Sequence, residues 1–215
     1  MFGADGRIPI VPAVVEAVLL GALAGYAIAI PVGPIAVLIL RTGLRSGLRA
    51  AMAAGAGTAT ADLLYATLAM LAGPTLVAAI APVLAPARLV AAAVLLGLAV
   101  RGLRGAGLST EAREPGPVGR TYATVLVLTL LNPATVIYFA SLAIGLPAVS
   151  TEPAARALFA VAAALASLSW QWTLAAAGAA LHGRMPGRLG VATNVASAAI
   201  IAGLAFKIAS EALIV

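Results

Sequence analysis

Apolar residues run along this chain in long blocks, and most charged residues sit in the short gaps between them. A helix that crosses the hydrocarbon core of a bilayer needs ~20 mainly apolar residues. Val14–Leu40 has that length and is interrupted by Pro31-Val32-Gly33-Pro34. Ala50–Ala72 follows, with Asp62 near its middle, and Gly73-Pro74 marks its end. Pro74, Pro82 and Pro86 punctuate the next apolar stretch. Proline is a poor helix-interior residue, so Thr75–Ala85 reads as a short re-entrant or interfacial segment and Ala87–Leu103 as the third span. Gly105–Arg120 is polar, rich in Gly and Pro, and reads as the central linker. Thr121–Leu146, interrupted by Asn132-Pro133, then Ala154–Leu181 and Leu189–Val215 complete about six spans.

Composition fixes the solvent. Hydrophobic residues make up 63% of the 215 and charged residues 9%, with a mean hydropathy of +1.10. A soluble domain carries roughly 25% charged residues. So few charges cannot cover a water-facing surface, and lipid must surround most of the chain. The expectation is an all-α integral membrane protein forming a single membrane domain over 1–215. Met1–Pro12 lacks a positive n-region, and the apolar run after it exceeds a signal-peptide core of roughly 7–15 residues. That run is therefore read as the first span. With no cysteine, disulfides, thiolate metal sites and dithiol redox chemistry are excluded. The single histidine, His182, reads as a solvated loop residue.

The net charge of +6 would suit nucleic acid, but the placement of the basic residues does not. Alternate gaps hold Arg41, Arg45, Arg49, Arg101, Arg104, Arg113, Arg120, Arg184 and Arg188 on one side, against Arg7, Arg88, Arg156 and Lys207 on the other. The positive-inside rule puts the first set in the cytoplasm of a bacterial inner membrane and both termini outside. A five-span chain would give a poorer bias.

The linker divides the chain into repeats of about 14–104 and 121–215. Each opens with a broken helix, at Gly33-Pro34 and at Asn132-Pro133. Three spans is an odd number, so the second repeat must be inverted. Interrupted helices at matching places in inverted halves point to a transporter site at the bilayer midplane. Ordinary proline kinks are the plainer explanation of either break alone.

Asp62 is the one acid deep inside an apolar run. A carboxylate at mid-helix costs ~2.5–3.5 kcal/mol to insert. It must face a polar cavity, pair with a cation or take up a proton, and no Lys or Arg lies at comparable depth in another span. A reversibly protonated carboxyl can couple proton movement to solute movement; a structural Asp bonded to nearby hydroxyls is the alternative. Thr58 and Tyr65 share its helix face, and Gly55 would admit a close neighbour helix. At each break, proline removes an N–H and displaces the carbonyl four residues back. Carbonyls of Ala29, Ile30, Leu128 or Thr129 can meet an ammonium. The half-helix that follows aims N–H groups at a carboxylate. Asn132 adds a neutral donor and acceptor. Ser167 with Gln171, and Asn194 with Ser197, either line the cavity or hold helices together, as does the packing motif Gly21-x-x-x-Gly25. There is no HExxH, Walker loop or Cys pair, so no enzyme is expected. One carboxylate offers too few hard ligands for a metal site, and no cofactor is implied.

Pro31-Val-Gly-Pro34, then Arg41-Thr-Gly43-Leu-Arg45-Ser-Gly47, Gly55, Asp62 and Tyr65, resemble the N-terminal half of LysE/RhtB-type amino-acid exporters. Leu130-Leu131-Asn132-Pro133 with Tyr138-Phe139, and Gly203 to Lys207, resemble later motifs of that family. The chain departs from the pattern with Pro-Val-Gly-Pro for Pro-Gly-Pro, Ala61-Asp62 for Gly-Asp, and Ala198 near an expected Gly. The resemblance implies export of amino acids or similar small solutes in exchange for protons, and it allows a homodimer. It also implies roles for Pro31, Gly33, Pro34, Asp62, Asn132 and Pro133. An exporter of cations or metal ions, or a non-transporting membrane scaffold, are the competing expectations.

Overall fold

The computed structural model describes residues 10–31, 33–104, 117–132, 135–136, 138–139, 141–142, 152–182, 195–196, 198–203, 205–206 and 209–210. Every element among them is helical: α1 (Ile10–Ala29), α2 (Pro34–Arg104), α3 (Val118–Leu130) and α4 (Pro153–Ala180), with further helical residues at 135–136, 138–139, 141–142, 195–196, 198–203, 205–206 and 209–210. Among the described residues, α4 is long and apolar enough to cross a membrane alone, and Val14–Ala29 with Pro34–Leu71 pass the same criterion as a broken pair. Leu19, Leu23, Leu71, Leu165 and Phe206 stand exposed on the outside of the bundle. So many exposed large apolar side chains are what a lipid-facing surface requires.

α2 is helical throughout but not straight. Ile35 and Ile39 share one apolar cluster with Leu95 and Ala99. Sixty residues of straight helix would hold Ile35 about 90 Å from Leu95, so the element folds back on itself. One reversal is at Gly47, whose φ of +78° is left-handed backbone. Glycine accepts that conformation without the Cβ penalty and so ends the first leg. The 48–71 leg then runs away from this end to a second apolar cluster that contains Ala66 and Met70. The 92–104 leg returns to the first. Gly73-Pro74, expected to end a helix, lies within helical backbone, as does the whole of the expected re-entrant segment 75–85. Neighbouring groups in a membrane bundle can satisfy the carbonyls that proline frees.

The first broken span keeps a fixed register against α4. A Cβ on Gly21 would overlap the Phe159 carbonyl, and one on Gly25 would overlap Ala163. Farther along, Gly178 sits against the Leu40 carbonyl, and His182 Nδ1 lies 2.8 Å from the Leu44 carbonyl. All four pairs are 138 residues apart, on both sides of the break at 30–33. The break interrupts hydrogen bonding without moving the chain to another neighbour. The weak packing motif Gly21-x-x-x-Gly25 is thus the contact that lets α1 lie parallel to α4. His182, expected as a solvated residue, is exposed but bonded to the end of the 34–46 leg.

The 48–71 leg is antiparallel to α4, since Gly55 meets Gln171 and Asp62 meets Ser167. It is parallel to α3, since Gly57 meets Tyr122 and Tyr65 bonds to Leu130. α1 with its 34–46 continuation and α3 therefore run in opposite directions. α3 begins at Val118, three residues before the expected start, with Pro117 at its N-cap position.

Candidate functional site

Two apolar clusters cap the bundle interior, and a polar layer separates them. Along the 48–71 leg, Ala54 belongs to one cluster and Ala66 to the other. Along α4, Ala163 belongs to one and Ala175 to the other. The buried polar residues Thr58, Asp62, Ser167 and Gln171 lie between those limits. Thr129, also buried, comes next to Leu128 of the first cluster at the end of α3.

Asp62 is 2% exposed, and Ser167, fully buried, donates its hydroxyl to Asp62 Oδ2 at 2.6 Å. A hydrogen bond to an ionised carboxylate is among the strong ones. Among the described residues, the partner that the structure shows for Asp62 is a serine on another helix, not the Thr58 or Tyr65 hydroxyl of its own face. Thr58 and Tyr65 share the face of Asp62 but bond elsewhere. Thr58 Oγ1 donates to the Ala54 carbonyl of its own helix, and the Tyr65 hydroxyl donates to the Leu130 carbonyl. Tyr65 also stacks on Phe139 with ring centroids 6.3 Å apart.

Both breaks fall close to this layer. By the constant register, the break at 30–33 lies beside Leu168–Gln171. There Ile30 N–H still bonds to Tyr26, and Val37 N–H bonds to Gly33. Pro34 is the first residue of its half-helix, a position where its missing N–H leaves no bond unmade. Pro31 is exposed, and a side chain on Gly33 would meet nothing within 4 Å. At the second break, Leu131 N–H bonds to Val127 and Asn132 N–H to Thr129. The Thr129 carbonyl, expected to be free, is therefore taken. Asn132 Nδ2 donates to Thr135 Oγ1 at 3.0 Å, and its carbonyl accepts from Val136. The backbone carbonyl of Asn132 thus opens the second half-helix, and the bond its side chain shows goes to the Thr135 side chain rather than to a backbone N–H. Beyond it, Tyr138 donates to the Ala24 carbonyl at 2.8 Å and so ties one broken element to the other.

Pro133, Asn194 and Ser197 lie outside the described residues. Gln171 is 4% exposed and its Oε1 has no hydrogen-bond partner; the Trp170 indole nitrogen is likewise buried and unpartnered. Sequence reasoning missed the Asp62–Ser167 and Tyr138–Ala24 contacts. The spacing of Ser167 and Gln171 signalled a polar face on α4, but nothing in the sequence named its partner. Among the described residues no three His, Cys, Asp or Glu side chains group as metal ligands.

An exposed apolar exterior around a buried polar layer suits a membrane protein. The family model of the LysE type translocators matches residues 26–212. The chain belongs to that family, and with it to the multi-pass membrane transporters. No curated protein and no solved structure matches the chain.

Proposed function

We propose that this protein is a secondary transporter that exports amino acids or related small metabolites across the bacterial inner membrane in exchange for protons. The observation that carries this reading is Asp62, buried in the polar layer at the level of the helix breaks, with Ser167 Oγ 2.6 Å from its Oδ2. A buried carboxyl with one neutral partner can exist with or without its proton, and each state favours a different arrangement of the groups around it. In the deprotonated state the carboxylate attracts a solute ammonium. In the protonated state it releases it.

The remaining parts of the site follow from the breaks. Half-helix N-termini at Gly33-Pro34 and Asn132-Pro133 offer N–H groups to a carboxylate. Thr58, Tyr65, Gln171 and Asn194 complete the lining. Two inverted three-helix repeats, each opening with its broken helix, are supported by the opposite directions of α1 and α3. A cytoplasmic location for the Gly47 end, with both termini periplasmic, is supported by Arg41, Arg45 and Arg49 around that turn. The protein partners here are lipid, solute and protons; a homodimer is compatible with the exposed apolar surface.

Efflux of a panel of labelled amino acids from cells expressing wild type or Asp62→Asn, at matched membrane levels, tests the reading. Export by wild type and none by Asp62→Asn is expected. Equal export by both would remove Asp62 from the mechanism.

A further inference from the structure

Arg41 combines a fixed charge with burial: it is 7% exposed. Among the described residues it has no hydrogen-bond or ion-pair partner, and the charged group that acts on it is the guanidinium of Arg45, one turn further on. An arginine does not shed its proton in a protein. An enclosed cation beside a second cation therefore gains by taking an anion.

The place of Arg41 shows where that anion comes from. Val37 and Leu38, four and three residues earlier, share its helix face and pack against the apolar cluster that contains Leu95, Leu128 and Ile201. Arg41 continues this inward face one turn nearer the Gly47 end. The register that pairs residues 21–44 with 159–182 sets it level with Ala179, about 18 Å along α4 from Ser167 at the rise of an α-helix. Half the hydrocarbon core of a bilayer is ~15 Å. With the polar layer near the midplane, Arg41 stands where the bundle interior opens to the headgroup region. An oxyanion reaches it there without crossing hydrocarbon.

We propose that Arg41 is an oxyanion-binding site at the Gly47 end of the bundle, with Arg45 adding attraction. The site takes a carboxylate or a phosphate group: the carboxylate of a solute entering the interior, or the phosphate of an anionic lipid in the adjoining leaflet. A guanidinium presents paired N–H groups that match either oxyanion. The site is separate from Asp62 and does not depend on proton coupling.

Unfolding midpoints of the purified full-length protein in zwitterionic detergent test the site. Wild type, Arg41→Gln and Arg41→Lys are titrated at matched ionic strength with two sets of paired additives. One set is alanine, leucine, lysine and glutamine against their carboxamides. The other is short-chain phosphatidylglycerol against short-chain phosphatidylcholine. The anionic member of at least one pair is expected to raise the wild-type midpoint by about 5 °C more than its control at saturation. Arg41→Gln is expected to remove that difference, and Arg41→Lys to keep a smaller one. A response to an amino acid assigns the site to the solute; a response to phosphatidylglycerol assigns it to lipid. A wild type that responds to neither, as an internal counter-ion would leave it, overturns the site, and so does an equal response in wild type and Arg41→Gln. If Arg41→Gln yields no folded protein, Arg41→Lys decides, and a response equal to wild type overturns the site. Failure here leaves the export reading standing, because efflux by wild type and Asp62→Asn tests that reading on its own.

Discussion

Ser167 and Asp62, 105 residues apart, meet through a 2.6 Å hydrogen bond that joins α4 to the 48–71 leg of α2 inside the polar layer. The serine gives the buried carboxyl a neutral partner from another helix. Replacing Ser167 with Ala removes the only donor to Asp62 that the structure shows among the described residues. Loss of one such bond costs about 1–3 kcal/mol when the partner stays buried. Ser167→Ala is expected to lower the thermal midpoint of purified protein and to slow efflux, with Ser167→Thr restoring much of both. Thermal unfolding alongside efflux, each at matched expression, checks this.

Gly25 sets how closely α1 approaches α4. A side chain there would overlap the Ala163 backbone, and a helix backbone cannot yield as a flexible side chain does. Overpacking of this kind costs typically about 1–3 kcal/mol. Gly25→Leu is expected to reduce the amount of folded protein in the membrane, whereas Leu23→Ala, on the exposed side of α1, leaves it near wild type. Detergent-extracted yield and monodispersity report the difference.

Tyr65 links the 48–71 leg to the second break through the Leu130 carbonyl. Tyr65→Phe keeps the stack on Phe139 and removes only the hydroxyl. The expected stability loss is about 1 kcal/mol, while efflux falls several-fold because the end of α3 is no longer held. A variant that loses stability but keeps the wild-type rate would confine Tyr65 to packing.

Gly47 turns the chain with a left-handed φ of +78°. An L-residue there costs roughly 1–2 kcal/mol. Gly47→Ala is expected to destabilise by that amount. His182→Ala, which gives up only the bond to Leu44 at the exposed end of α4, is expected to cost less. Unfolding midpoints of the two variants measured side by side establish the order.

Proline, glycine and the lone intramembrane acid made much of this legible in sequence. Pro31-Val-Gly-Pro34 and Asn132-Pro133 mark both breaks because proline brings no N–H to a helical ladder and crowds the carbonyl four residues back. Asp62 stands out because an apolar run tolerates few acids. What stayed hidden depends on how separate helices face each other. The partner of Asp62, the register of α1 on α4 and the tie between His182 and Leu44 each join residues more than 100 positions apart. Local pattern does not encode such pairings. Gly73-Pro74, like Gly47, lies inside continuous helical backbone, and the chain reverses between the 48–71 and 92–104 legs.

Solute-driven proton movement in proteoliposomes tests the role of Asp62 most directly. Wild-type protein is reconstituted with a pH-sensitive dye inside, an exported amino acid is applied as a gradient without a pH difference, and internal pH is followed. Wild type is expected to move protons against the solute flow, and Asp62→Asn to move none. Solute-driven proton flux that persists in Asp62→Asn at equal reconstitution would contradict the assignment of Asp62 as the coupling carboxyl.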